Sequence, residues 1–254
     1  ARKTSFDRAA WGYRHLNDFG GLNFNNGSNV TFNALNTSIN ATGNFSNRIN
    51  YAVNDGGAGA IVFNNKARVT FEGNATINAT APNGTGIFYS STSGALTDYT
   101  VNVKDNAHVT INASGGDSAV LFHAVWTVYR ADPSGNWRGV FNVAQNATLD
   151  INAATTGNTG APAITSQPAI GGVYSEGALI FKGAGDVNIN ASVVSGDAVL
   201  ARYLDNMALT GNLTLTGRSQ SGSGIVIDRL GHYRLKDATL YGSSESGNGI
   251  YLRG

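Results

Sequence analysis

Five near-copies of one tetrapeptide constrain what this chain can fold into. Ile39-Asn40-Ala41-Thr42 returns as Ile77-Asn78-Ala79-Thr80, Ile111-Asn112-Ala113-Ser114, Ile151-Asn152-Ala153-Ala154 and Ile189-Asn190-Ala191-Ser192, with weaker versions around Leu215 and Leu240. These seven anchors are spaced by 38, 34, 40, 38, 26 and 25 residues, within the range of roughly 20 to 50 that marks solenoids and other repeat arrays. A chain repeating at this period hides its apolar face by stacking one unit on the next. Unequal spacing means that the loops differ while the stacked element recurs.

The element is a strand. Apolar and polar residues alternate in Val69-Thr70-Phe71, Val109-Thr110-Ile111, Leu149-Asp150-Ile151, Val187-Asn188-Ile189 and Leu213-Thr214-Leu215, and period two is the strand period. About ten residues beyond each anchor, past Gly, Ser and Asn, comes a second apolar burst: Ile87-Phe88-Tyr89, Val120-Leu121-Phe122, Val199-Leu200, Ile225-Val226-Ile227 and Ile250-Tyr251-Leu252. Before the next anchor stands a third, at Ile61-Val62-Phe63, Tyr99 to Val103, Val140 to Val143, Leu179-Ile180-Phe181, Met207-Ala208-Leu209 and Tyr233-Arg234-Leu235. No window sustains a helical period, so the fold expected is all-β. Three short strands per unit fit one turn of a parallel β-helix, about seven coils in all, with loop insertions in the earlier coils. A β-propeller shares the repeat length, but its blades need four antiparallel strands and tight hairpins. Residues 1–28 read as an entry segment or partial coil and 29–254 as the repeats.

Composition fits an array of turns. The 30 Asn and 33 Gly make up a quarter of the 254 residues, types that strands and helices ordinarily avoid. In a stacked array, Asn of successive units can form a side-chain amide ladder. The absence of Cys excludes disulfide scaffolds and thiol chemistry. A net charge of +1 offers nothing to a phosphate backbone, so nucleic acid is not an expected partner, and no apolar run is long enough to insert in a membrane as a helix. Catalysis is not expected either. The three Glu, at 72, 176 and 245, are scattered over different units, whereas β-helical sugar-cleaving enzymes need carboxylates together. Asp117 and Asp197 occupy equivalent places but lie in Gly-rich turns. His15, His108, His123 and His232 lack ligand spacing. We therefore expect no catalytic residues, no metal and no cofactor. Twelve Asn-X-Ser/Thr triplets, among them Asn40, Asn78, Asn112 and Asn190, follow largely from the repeated motif and are also acceptor sites in a secreted protein.

Binding is expected where the repeat is interrupted, because solenoid insertions usually gather on the binding face. The most aromatic insertion, 123–138, carries Trp126, Tyr129, Arg130, Trp137 and Arg138, the residue types that dominate hot spots. The plainer alternative is that both Trp only cover the side of a coil. Segments 90–98 and 155–175 are expected to leave their coils on the same side, which would bring Tyr89, Tyr99 and Tyr174 near. Gly254 follows a strand without a polar cap, which reads as an interior piece of a longer rod.

The iterated NVTFN, VTFEGNATINAT, VTINAS, VNINAS and LTGNLTLTG strings, with SQSGSGIVI and SESGNGIYL, resemble the filamentous exoproteins of bacterial two-partner secretion over roughly residues 23–254. That family includes the CdiA effectors of contact-dependent growth inhibition and the high-molecular-weight adhesins. The resemblance implies a right-handed parallel β-helical rod, secreted to the outer face of a Gram-negative cell. It also implies a receptor-binding region for an outer-membrane protein or lipopolysaccharide of a neighbouring bacterium. An adhesin of the same class, binding host glycans or glycoproteins, is the alternative.

Overall fold

The computed structural model describes residues 22–24, 27–43, 59–63, 66–82, 85–91, 97–116, 119–124, 137–155, 173–228 and 234–253, and these contain strands and turns with no helix. In chain order the first three units are β1 (Leu22–Phe24), β2 (Asn29–Phe32), β3 (Asn36–Thr42); β4 (Gly59–Phe63), β5 (Arg68–Phe71), β6 (Asn74–Ala81); β7 (Thr85–Ser91), β8 (Thr97–Val103), β9 (His108–Gly115). There follow β10 (Val120–Ala124), β11 (Trp137–Val143), β12 (Thr148–Thr155); β13 (Val173–Gly183), β14 (Asp186–Val193); β15 (Val199–Leu209), β16 (Leu213–Ser219); β17 (Ile225–Asp228), β18 (Ala238–Ser244); and β19 (Ile250–Arg253).

All pairing between these strands is parallel and joins each strand to its counterpart one unit away. Three ladders result. The first contains β1, β4, β7, β10, the leading residues of β13 and β15, then β17 and β19; the second contains β2, β5, β8, β11 and the trailing residues of β13 and β15. The long strands β13 and β15 belong to both, which merges the two ladders into one twelve-stranded sheet. The third ladder is a separate seven-stranded sheet of β3, β6, β9, β12, β14, β16 and β18. Parallel strands in stacked sheets, visited in a fixed order, are an arrangement compatible with a β-helix.

The repeated anchor defines the register of the third ladder. Ile39, Ile77, Ile111, Ile151, Ile189, Leu215 and Leu240 are successive partners. Burial alternates strictly along these strands, so the anchor Ile and the Ala two residues on point inward while the Asn between them points out. The core is a set of such rows, completed from the other sheet by stacked aromatics: Phe24 on Phe63 with centroids 4.7 Å apart, Phe32 on Phe71 at 5.2 Å, and Phe141 on Phe181 at 5.5 Å.

Two strand assignments read from the sequence change. Ile61-Val62-Phe63 pairs with Ile87-Phe88-Tyr89 and so belongs to the first ladder, not with Tyr99 to Val103. Val69-Thr70-Phe71 pairs with Val101 to Val103 in the second ladder, although its alternation looks like that of Val109-Thr110-Ile111 in the third. The exposed Glu72 and the Gly73 beside it turn the chain between β5 and β6. Gly73 has no room for a side chain, since a Cβ there would lie 2.4 Å from the carbonyl oxygen of Ala34. Parallel pairing also begins at Leu22, inside the segment 1–28.

The second ladder ends in polar contacts. Asn206, 1% exposed, donates from Nδ2 to the Lys236 carbonyl at 2.6 Å and accepts the Lys236 N–H on Oδ1 at 2.8 Å. Beside it, buried Asp205 accepts the Met207 N–H and pairs with Arg234. The amide thus replaces ladder bonds where regular pairing stops. Asn206→Ala removes both bonds and strands the Lys236 backbone groups, so urea denaturation is expected to register a loss of about 1–3 kcal/mol.

Candidate functional site

Strand order fixes where each insertion leaves the array. Residues 92–96 lie between β7 and β8, and 125–136 between β10 and β11, so both join the first ladder to the second in adjacent units. Residues 156–172 lie between β12 and β13 and join the third ladder to the first, as do 43–58 between β3 and β4. The expectation that 155–175 leaves on the same side as the other two is therefore corrected. Anchor spacing counts inserted residues but carries no information on which turn contains them.

The expected binding residues distribute accordingly. Trp126, Tyr129 and Arg130 lie outside the described residues. Trp137 and Arg138 open β11, in register with Thr97 and Asp98 of β8, and Tyr99 is in register with Gly139, so these three share the end of the second ladder into which both insertions run. Tyr89 is in register with Phe122, two residues before the end of β10. Tyr174 partners Leu121 and Leu200, one register row from Tyr89, on a strand that carries no insertion between its two ladders.

A second surface is fully described. On the outer face of the third ladder an amide ladder runs through five units: Asn78 donates to Asn40 at 2.7 Å, Asn112 to Asn78 at 2.9 Å, Asn152 to Asn112 at 2.9 Å and Asn190 to Asn152 at 3.1 Å. Each Asn Nδ2 donates and the preceding Oδ1 accepts, which fixes every amide in one orientation. A shorter ladder stands on the other sheet, where Asn142 donates to Asn102 and Asn102 to the Thr70 hydroxyl. Next to the long ladder, two residues on along each strand, is a row of small side chains, Thr80, Ser114, Ala154 and Ser192. Together they line an open groove of about 560 Å3 that reaches Thr216 and Arg218 on β16. Arg218 is exposed and forms no ion pair among the described residues. One strand further, at the position in register with Thr216, stands Tyr241, 60% exposed.

Two carboxylates on this face, Asp150 and Asp186, are hydrogen-bonded. Asp150 accepts from Asn188 at 2.8 Å on Oδ1 and lies 3.0 Å from His108 Nε2 on Oδ2. Asp186 accepts both the backbone and side-chain N–H of Asn212 at 2.9 Å. Asp197 accepts the Ser223 N–H at 2.8 Å, a turn contact. Tyr241 escaped the sequence reading because the later units replace Asn with Thr216 and Tyr241, and Arg218 because it replaces the small residue of the neighbouring row, in register with Ser192; only the register shows either row. Comparison with family models, curated proteins and solved structures finds no match for this chain.

Proposed function

We propose that this chain is the receptor-binding part of a two-partner-secretion exoprotein of the CdiA type, exposed on the surface of a Gram-negative cell, which recognises an outer-membrane protein or lipopolysaccharide on a neighbouring bacterium. In this reading the three ladders are the faces of a right-handed parallel β-helix of about seven coils. It binds and does no chemistry. The observation that carries the reading is the contrast between a stacked scaffold kept in register and an aromatic, arginine-bearing insertion, 125–136, flanked by Trp137 and Arg138. A regular scaffold that presents an inserted segment is the usual economy of a recognition protein. Aromatic anchors bury area at low entropic cost, and arginines pair with acidic loops or with phosphate.

The test is binding of the labelled protein to wild-type Gram-negative cells, to strains lacking single outer-membrane proteins, to strains with truncated lipopolysaccharide and to epithelial cells. Loss of binding in one bacterial deletion strain is the expected result and names the receptor. Binding confined to epithelial cells and abolished by glycosidase would make the chain a host-directed adhesin instead. Combined alanine substitution of Trp126, Arg130 and Trp137 is expected to reduce bacterial binding at least tenfold without altering the circular dichroism spectrum. Unchanged binding would move the site elsewhere.

A further inference from the structure

We propose that the outer face of the third ladder is a second binding site, for a linear acidic glycan lying along the stacking direction. The asparagine amides would bind its hydroxyl groups, Arg218 its carboxylate or sulfate, and Tyr241 the face of one sugar ring. This site is separate from the insertion between the first and second ladders and stands whether or not that insertion binds a receptor.

The first argument is unused hydrogen-bonding capacity. An amide side chain has two N–H donors and an oxygen with two lone pairs. Within the ladder each of Asn78, Asn112 and Asn152 spends one donor and one lone pair on its neighbours, leaving one of each for a ligand. Every position therefore offers both a donor and an acceptor, which suits a sugar hydroxyl because it needs both. The ladder also freezes the side chains beforehand, so ordering them costs the ligand little.

The second argument is spacing. Neighbouring strands in a sheet are about 4.8 Å apart, and the groove crosses β6, β9, β12, β14 and β16. An extended peptide laid in the same direction advances about 3.3 Å per residue and falls out of step within a few residues. An extended β-linked pyranose chain advances by close to one strand step per sugar, so its hydroxyls meet equivalent amides unit after unit.

Charge supplies the third argument. Asp150 and Asp186 on this face hydrogen-bond to neighbouring side chains and keep their negative charge, so an acidic group is accommodated at the groove's end, where Arg218 stands exposed with no ion pair among the described residues. One cation at the end meets one acidic group of the chain, and the amides meet the hydroxyls of the remaining sugars. A nucleic acid, whose affinity comes from many phosphate contacts, would find only this one. Tyr241, exposed in the Asn row, then supplies the flat apolar surface that sugar C–H groups cover.

The test is isothermal titration of the whole chain with a β-linked hexasaccharide of alternating glucuronate and N-acetylglucosamine, with the same hexasaccharide after reduction of its carboxylates to alcohols, and with a sulfated form. Arg218→Gln is expected to weaken binding of the charged forms about tenfold, a 1.4 kcal/mol change, and to leave the reduced form unaffected. Tyr241→Ala weakens all three. Lys66→Ala, which removes an exposed cation from a different turn, changes nothing. Preference for the uronate or the sulfated form assigns the acidic group. The proposal is overturned by no binding of any of the three, by equal binding of the reduced form, by equal losses from Arg218→Gln and Lys66→Ala, or by binding that survives Arg218→Gln and Tyr241→Ala. Both side chains are exposed on strands, and unchanged thermal melts would confirm that the variants fold.

Discussion

Phe141→Ala is expected to lower the unfolding free energy by about 3–5 kcal/mol, the range for removing a large aromatic ring from a packed core. Phe141 is 1% exposed, stacks on Phe181 and lies in register with Val101 on the other side. Its ring is therefore an inter-unit contact. A repeat array is stable through nearest-neighbour interfaces, since no single unit closes a core. Truncation weakens the contacts of β11 with both β8 and β13, and the surrounding side chains cannot collapse into the space because their backbone is fixed by ladder bonds. The check is urea denaturation followed by circular dichroism. Phe181→Ala should cost a similar amount, and the double variant less than the sum, because each single change already loses the shared ring contact. Strict additivity would mean that the two rings do not act through one another.

The third ladder was legible in the sequence almost residue by residue. Its strands alternate without interruption, and the anchor repeats Ile, Asn and Ala at fixed offsets, so both the buried row and the outward amide row follow from period two. The other two ladders were legible only as strands. Ile61 to Phe63 and Val69 to Phe71 carry the right residues, but alternation is the same in every ladder, and membership depends on which turn precedes the strand. The turn at Glu72 and Gly73 is only two residues long and easily read as part of a continuing strand.

The candidate surfaces were less legible for a related reason. Residue type and spacing identify 123–138 as an interruption, but the corner from which a loop leaves is a property of the strand order. Tyr241 belongs to the Asn row, whose members are 25 to 40 residues apart and share no residue type beyond the fifth unit, and Arg218 belongs to the neighbouring row of small side chains. What identifies them is the in-register pairing of Asn190 with Thr216 and of Thr216 with Tyr241, and, for Arg218, its pairing with Ser192.

Gly217→Ala is expected to destabilise the protein by about 3–5 kcal/mol, above the usual cost of one extra methyl group. In the inward row after the anchor the first five units carry Ala41, Ala79, Ala113, Ala153 and Ala191, and the next two carry Gly217 and Gly242. The reason is a close approach of backbone to backbone: a Cβ on Gly217 would lie 2.0 Å from the Gly224 carbonyl oxygen and 2.6 Å from its carbon. Carbon atoms in contact prefer about 3.5–4.0 Å, so β16 and the start of β17 would have to part. That motion is opposed by the bond from the Val199 N–H to the same Gly224 carbonyl, 3.0 Å, and by the Ser219 hydroxyl, which accepts the Gly222 N–H at 2.8 Å and donates to the Gly196 carbonyl at 2.7 Å. The added methyl therefore breaks the turn between the third ladder and the first, or strains the unit stacked beneath it. Gly242 meets the Gly249 carbonyl oxygen at the same 2.0 Å, but Ile250 beside it is 42% exposed, and no described strand stacks beyond β18 and β19. Gly242→Ala should accordingly cost less than Gly217→Ala, and Arg218→Ala, one residue along on the outer face, less than about 0.5 kcal/mol. Urea midpoints of the three variants in that order would establish that the tight turn, and not glycine content as such, holds the late units together; equal midpoints for Gly217→Ala and Arg218→Ala would refute it.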